Sequence, residues 1–240
     1  MNDIPEHIQI KLQNSKEYVP RIMSLCLKEV SYPRVRQRKG IGVCLGEMTQ
    51  ALRSALNNAI WDFAERNLKL TLDGTEYEKI QYSHDFPIER DKESFEESRT
   101  RILRHIADSF PRVYQFLETA QPYHVNNQYL WSLKIISNST THTIPIEAQT
   151  VQGNDVAFVN GKPRIVSNQV IMSTYDSSYR RVYPSIPCYV EELKMFVSKK
   201  RKWVLFFINL GKEPKPNLMP FVETANLEVD KLISEFYTLW

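Results

Sequence analysis

The stretch Ile41–Leu70, IGVCLGEMTQALRSALNNAIWDFAERNLKL, decides the fold. Ile41, Leu45, Met48, Leu52, Ala55, Leu56, Ala59, Ile60 and Phe63 recur every three or four positions. Glu47, Gln50, Arg53, Asn57, Asp62 and Glu65 fall mainly elsewhere on the wheel. An apolar stripe of that period marks an amphipathic helix with one face in a core. The stretch is predicted as a long helix, the spine of a helical half, closed by the turn pair Asp73-Gly74.

Working toward the N-terminus, Lys16–Val30 carries apolar residues at helical spacing, with Ser15 as N-cap and Pro20 tolerable only in a first turn. Pro33 ends that helix. Ile8, Ile10 and Leu12 alternate with polar neighbours and read as a short strand or extended arm. Toward the C-terminus, helices are expected over Asp91–Ala107, from Pro111 as N1 to a stop at Pro122, and over Gln128–Ile136. Past His142 the period changes to two. Strands are expected at Thr143–Val151, Val156–Val159, Arg164–Met172, Arg181–Pro187 and Lys202–Leu210, with Asn160-Gly161 as a type I′ hairpin turn. Thr224–Trp240 returns to helical spacing and is expected to pack across the sheet. The reading is α+β: an N-terminal helical bundle (about 14–142), an antiparallel sheet with a C-terminal helix (about 143–240), and one domain over 1–240.

Composition agrees with a chain that folds. Of 240 residues, 42% are hydrophobic and 11% aromatic, enough apolar bulk to offset ordering entropy. The net charge of +3 is too small to indicate a polyanion partner by itself, so only local clusters carry that reading. Cys26, Cys44 and Cys188 form no C-x-x-C pair and no disulfide framework, and read as reduced thiols of a cytoplasmic protein. The N-terminus shows no secretory signal. The longest apolar run, Trp203–Leu210, falls far short of the roughly 20 residues a membrane span needs.

Two polar constellations stand out. On the long helix Arg53 and Asn57 are surface neighbours at i and i+4, with Glu47 and Asn58 nearby. A guanidinium there suits an anion or nucleotide, or the patch is an ordinary solvated helix face. At the junction of helices and sheet, Ser137-Asn138-Ser139-Thr140-Thr141-His142-Thr143 gathers hydroxyls and an amide around one histidine. Small polar side chains favour turns. His142 has the chemistry of a general base, or of a loop histidine with no task. The binding candidates are Arg53, Asn57, Asn58, Asn138 and His142, with His142 and Arg53 as the candidates for catalysis.

Four blocks resemble a widespread, uncharacterised bacterial family. The segment Leu45–Asn58, with Ala51-Leu52-Arg53-Ser54-Ala55-Leu56-Asn57-Asn58, matches its N-L-R-S-A-L-D-H helix. Phe86-Pro87-Ile88 and Gln121-Pro122-Tyr123 match its F-P-I and Q-P-Y segments. Leu130-Trp131-Ser132-Leu133 and 138–143 match its L-W-x-L and N-x-x-D-K-H-R. The family's arginine-to-histidine spacing is similar to that of HEPN-type ribonucleases, helical nucleic-acid modules. The resemblance therefore implies RNA or a nucleotide as ligand. The ionisable positions depart: Asn57-Asn58 stand for Asp-His, and Thr140-Thr141-His142-Thr143 for Asp-Lys-His-Arg, so a binding role outranks ribonuclease-type chemistry. A second arginine–histidine spacing occurs at Arg99 and His105.

Basic residues cluster at Arg34, Arg36, Arg38 and Lys39, at Arg180 and Arg181, and at 199–202. They suit phosphates, with Tyr32, Tyr179, Tyr183 and Trp203 to stack bases, or guard element ends. The alternative role is a protein-interaction or structural subunit, in a homo-oligomer or with another protein. Gly40-x-Gly42 follows no strand, and His84-Asp85 reads as loop. The five histidines lack ligand spacing, so no metal or cofactor is expected.

Overall fold

The computed structural model describes residues 3–32, 35–80, 85–97, 101–141, 148–153, 156–159, 162–165, 188–190, 195–197, 203–208 and 216–240. Helices come first: α1 Glu6–Ser31, α2 Val35–Phe63, a π turn Ala64–Leu68 running into α3 Lys69–Thr71, α4 Gly74–Ile80, α5 Lys92–Glu97, α6 Arg101–Ser109, α7 Pro111–Thr119, and α8 Gln128–Thr141 after a 3₁₀ turn. Strands follow: β1 Ala148–Gly153, β2 Val156–Val159, β3 Lys162–Ile165, β4 Cys188–Val190, β5 Met195–Val197 and β6 Trp203–Ile208. Helix α9, Leu218–Phe236, comes last. The fold is α+β, helices first and antiparallel sheet second, with a C-terminal helix.

The chain forms two compact units. One gathers 1–17, 46–143 and 223–240; the other gathers 18–45 and 144–222. The first is helical. Along α2 its apolar stripe is buried as the periodicity requires: Met48, Leu52, Ala55, Leu56, Ala59, Ile60 and Phe63 are each at most 2% exposed. Phe63 meets Phe110, Phe236 and Trp240 edge-on, with ring centroids 5.1, 5.8 and 5.4 Å away. Asp62, buried beside it, accepts hydrogen bonds from Tyr237 Oη at 2.8 Å and Arg66 Nε at 3.0 Å. These contacts place the end of α9 against the end of α2. Leu227 on the same helix is exposed.

In the second unit β1, β6, β5 and β4 form one antiparallel sheet in that order, and β2 pairs with β3 as a hairpin. Val159 faces Lys162, which matches the two-residue connection expected; the turn itself lies outside the described residues. Phe206 and Ile208 of β6 are buried while Leu205 and Phe207, alternating with them, are half-buried, the alternation of a one-sided sheet. Phe206 packs edge-on against Phe196 of β5, centroids 5.3 Å apart. The strand expected at Arg181–Pro187 lies outside the described residues.

Three local readings are corrected. Residues 8–12 are helical, not an arm: Ile8 and Leu12 are buried and Ile10 is exposed, the i, i+4 pattern of α1. Ser15 is buried within α1 rather than capping it, its Oγ 2.7 Å from both Leu12 O and Asn226 Oδ1, and Pro20 lies inside the same helix. The polar segment 137–141 continues α8 instead of turning. Two of its serines fold back on the preceding turn, Ser137 Oγ to Lys134 O and Ser139 Oγ to Ile135 O.

Candidate functional site

Within the helical unit, the six residues Asp85-Phe86-Pro87-Ile88-Glu89-Arg90 carry no helix or strand, yet Phe86, Pro87 and Ile88 are buried. Proline at 87 keeps the chain extended and removes one donor. Side chains from three elements supply the missing partners. From α2, Asn57 donates its Nδ2–H to Asp85 Oδ1 at 2.6 Å and accepts the Phe86 N–H at 3.0 Å. From the turn after α7, fully buried Gln121 donates Nε2–H to Pro87 O and accepts the Glu89 N–H at 2.9 Å. From α8, Lys134 donates to Ile88 O and pairs with Glu89 at 3.3 Å. Arg90 and Lys134 both lie over the Trp131 ring.

This pinned segment forms one wall of a cavity of about 370 Å³. Gln50, Arg53 and Asn57 of α2 line the opposite wall; Lys134, Ser137 and Asn138 of α8 complete it. Arg53 sets the electrostatics. Burial lowers the pKa of its guanidinium, and Asp85 and then Glu89 pull it back up. Its Nη1 is covered and has no hydrogen-bond partner among the described residues. A desolvated cation with an unmet donor is a demand for an anion. The formal charges of the lining, Arg53 and Lys134 against Asp85 and Glu89, cancel.

The structure thus brings Arg53, Asn57 and Asn138 to one concavity. Asn57 works there as a clamp on the 85–86 backbone. Asn58 is half-buried on α2 and does not line the cavity. His142 lies outside the described residues, as do Arg99, Arg180, Arg181 and 199–202. His105 is half-buried in α6. Of the first basic cluster, Arg38 is paired with buried Glu29 at 3.1 Å, and Arg36 and Lys39 are exposed. Sequence reasoning missed Asp85, Glu89, Lys134 and Gln121. The signal available was charge tightly flanking an apolar Phe-Pro-Ile core, a pattern no regular period explains.

Among the described residues no three His, Cys, Asp or Glu side chains gather to hold a metal ion, and no helix is long and apolar enough to cross a membrane. Cys26 is buried, and that burial, with Glu29 nearby, pushes its thiol pKa up, which keeps it unreactive. Comparison with protein-family models, with curated proteins and with solved structures finds no match.

Proposed function

We propose that this chain is a nucleotide-binding module in which Arg53 takes a phosphate oxyanion and the cavity acts as a binder, not as a catalyst. One observation carries it: a desolvated, incompletely paired guanidinium in the wall of a polar cavity. The volume sits at the low end of small-molecule sites, roughly 300–1,000 Å³, room for one nucleotide and not for a duplex. Gln50 and Asn138 bring amides, donor and acceptor in one group, which suits the edge of a base. A nucleic-acid groove asks for a stripe of unopposed cations, and here Asp85 and Glu89 offset both positive charges.

Binding outranks turnover on the same residues. The polar neighbours of Arg53 along its own helix, Gln50 and Asn57, carry amides, which do not titrate. Asp85 and Glu89 are engaged by Asn57 and Lys134. This reading keeps the HEPN-like resemblance as that of a cytoplasmic bacterial binder with its ribonuclease chemistry lost.

Calorimetry of the full chain with nucleotides and with the matching nucleosides tests the proposal. Nucleotides bind and nucleosides do not. Arg53→Gln weakens nucleotide binding about 10–100-fold, the worth of a charge-assisted hydrogen bond, while its circular dichroism stays that of the parent. Unchanged affinity in the variant refutes the assignment.

A further inference from the structure

Phosphates differ in charge, and the charges around this cavity are few enough to count. Arg53 from α2 and Lys134 from α8 meet Asp85 and Glu89 from the pinned segment. Lys134 is held by Glu89 at 3.3 Å and by the Ile88 carbonyl. Asp85 holds the Asn57 amide. Among the described residues of this lining, the covered side-chain atom left without a hydrogen-bond partner is Nη1 of Arg53.

Resting on the nucleotide reading above, we infer that the group Arg53 takes is a singly charged phosphodiester, the phosphate of a cyclic mononucleotide, in preference to a mono-, di- or triphosphate. The first negative charge meets Arg53. A second meets two carboxylates on the same wall, Glu89 half-buried and Asp85 exposed, with Lys134 engaged by Glu89, and like charges there repel. The carboxylates thereby act as a filter against multiply charged nucleotides, specificity gained by repulsion and not by added contacts. A diester inside a single strand shares that charge; a cavity of about 370 Å³ has room for one nucleotide, and the hexanucleotide arm of the test separates the two sources.

The test is calorimetry on the full chain at pH 7.5 and low salt. Its probes are 3′,5′-cyclic AMP and GMP, the corresponding 5′-monophosphates and triphosphates, and a single-stranded hexanucleotide. The cyclic forms are expected to bind about tenfold or more tightly than the triphosphates, the order of one like-charge contact. At pH 5.5 the 5′-monophosphate becomes singly charged, because its second ionisation lies near about 6, and its affinity rises toward that of the cyclic form. Glu89→Gln narrows the gap between triphosphate and cyclic form. A triphosphate that binds as tightly as the cyclic form overturns the charge filter and leaves Arg53 as a phosphate ligand. A hexanucleotide that binds more tightly than the cyclic form overturns the assignment to a free nucleotide. Absence of binding by every probe removes this inference together with the reading beneath it.

Discussion

Gln121 is the most exacting place to perturb this protein away from its ligand. It is completely buried, and its amide makes three hydrogen bonds: Nε2 to Pro87 O at 3.0 Å, Nε2 to Leu117 O at 2.7 Å, and Oε1 from Glu89 N at 2.9 Å. Gln121→Ala removes all three at once. Each stranded buried group costs about 1–3 kcal/mol, and water entering from the cavity side relieves part of that, so the expected loss is about 3–5 kcal/mol. The isosteric Gln121→Glu sets a carboxylate oxygen against two carbonyl oxygens and loses at least as much at neutral pH. Part returns on acidification, because a protonated carboxyl donates again. Hydrogen exchange at the Glu89 amide isolates the effect from any unfolding elsewhere: slow in the parent, fast in Gln121→Ala, which leaves that N–H without its acceptor. A parent amide that exchanges at the rate of an open peptide, or a loss below about 1 kcal/mol in Gln121→Ala, refutes the account of the 85–90 wall.

Two further outcomes are expected. Tyr77, Tyr123, Tyr129 and Tyr237 have phenol pKa values pushed up, by desolvation first and then by the carboxylates facing them, Asp62 for Tyr237 and Glu65 for Tyr77. A folded-state pKa above the unfolded one gives stability that is complete below about pH 10 and is lost as pH rises through the folded value. Absorbance at 295 nm should therefore show these phenols ionising at higher pH in the folded chain than in urea, where they ionise near about pH 10. Asn57→Asp leaves the Phe86 N–H satisfied and sets two carboxylates against each other at the 2.6 Å contact with Asp85. A loss of about 1–3 kcal/mol in urea melts is expected, smaller at low pH, and restored by adding Asp85→Asn, which a double-mutant cycle measures.

What was legible in the sequence divides by the range of the interaction. The stripe from Met48 to Phe63 is a local signal, and every apolar residue placed inward by its period is inside. In the first turns of α1 the same logic failed because the buried face there includes Ser15, a polar residue that breaks the apolar pattern and leaves Ile8, Ile10 and Leu12 to mimic a strand. Pro20 strengthened that misreading: a helix interior tolerates proline when packing on both sides outweighs one missing hydrogen bond, and propensity alone does not report packing. At the site, Arg53 and Asn57 were legible as neighbours four apart on one helix. Asp85 reaches Asn57 across 28 positions and Ile88 reaches Lys134 across 46. No period or spacing encodes partners that far apart when one lies in an irregular segment.

The four blocks behind the family resemblance are distant along the chain and meet at one object. Asn57 belongs to the first and holds Asp85-Phe86; Gln121 opens the third and holds Pro87 and Glu89; Lys134 follows the Leu-Trp-Ser-Leu of the fourth and holds Ile88 and Glu89; the second, Phe86-Pro87-Ile88, is what they hold. That physical connection bears on the departures. With Asp85 as neighbour, position 57 must donate on one side and accept on the other, which an amide does and an ionised carboxylate does not. Asparagine at 57 is therefore tied to the charge at 85, and Asp85 in turn bears on the guanidinium of Arg53, one helical turn before Asn57. An amide at position 57 thus keeps the wall hydrogen-bonded on both sides without placing a titrating group at the edge of the cavity.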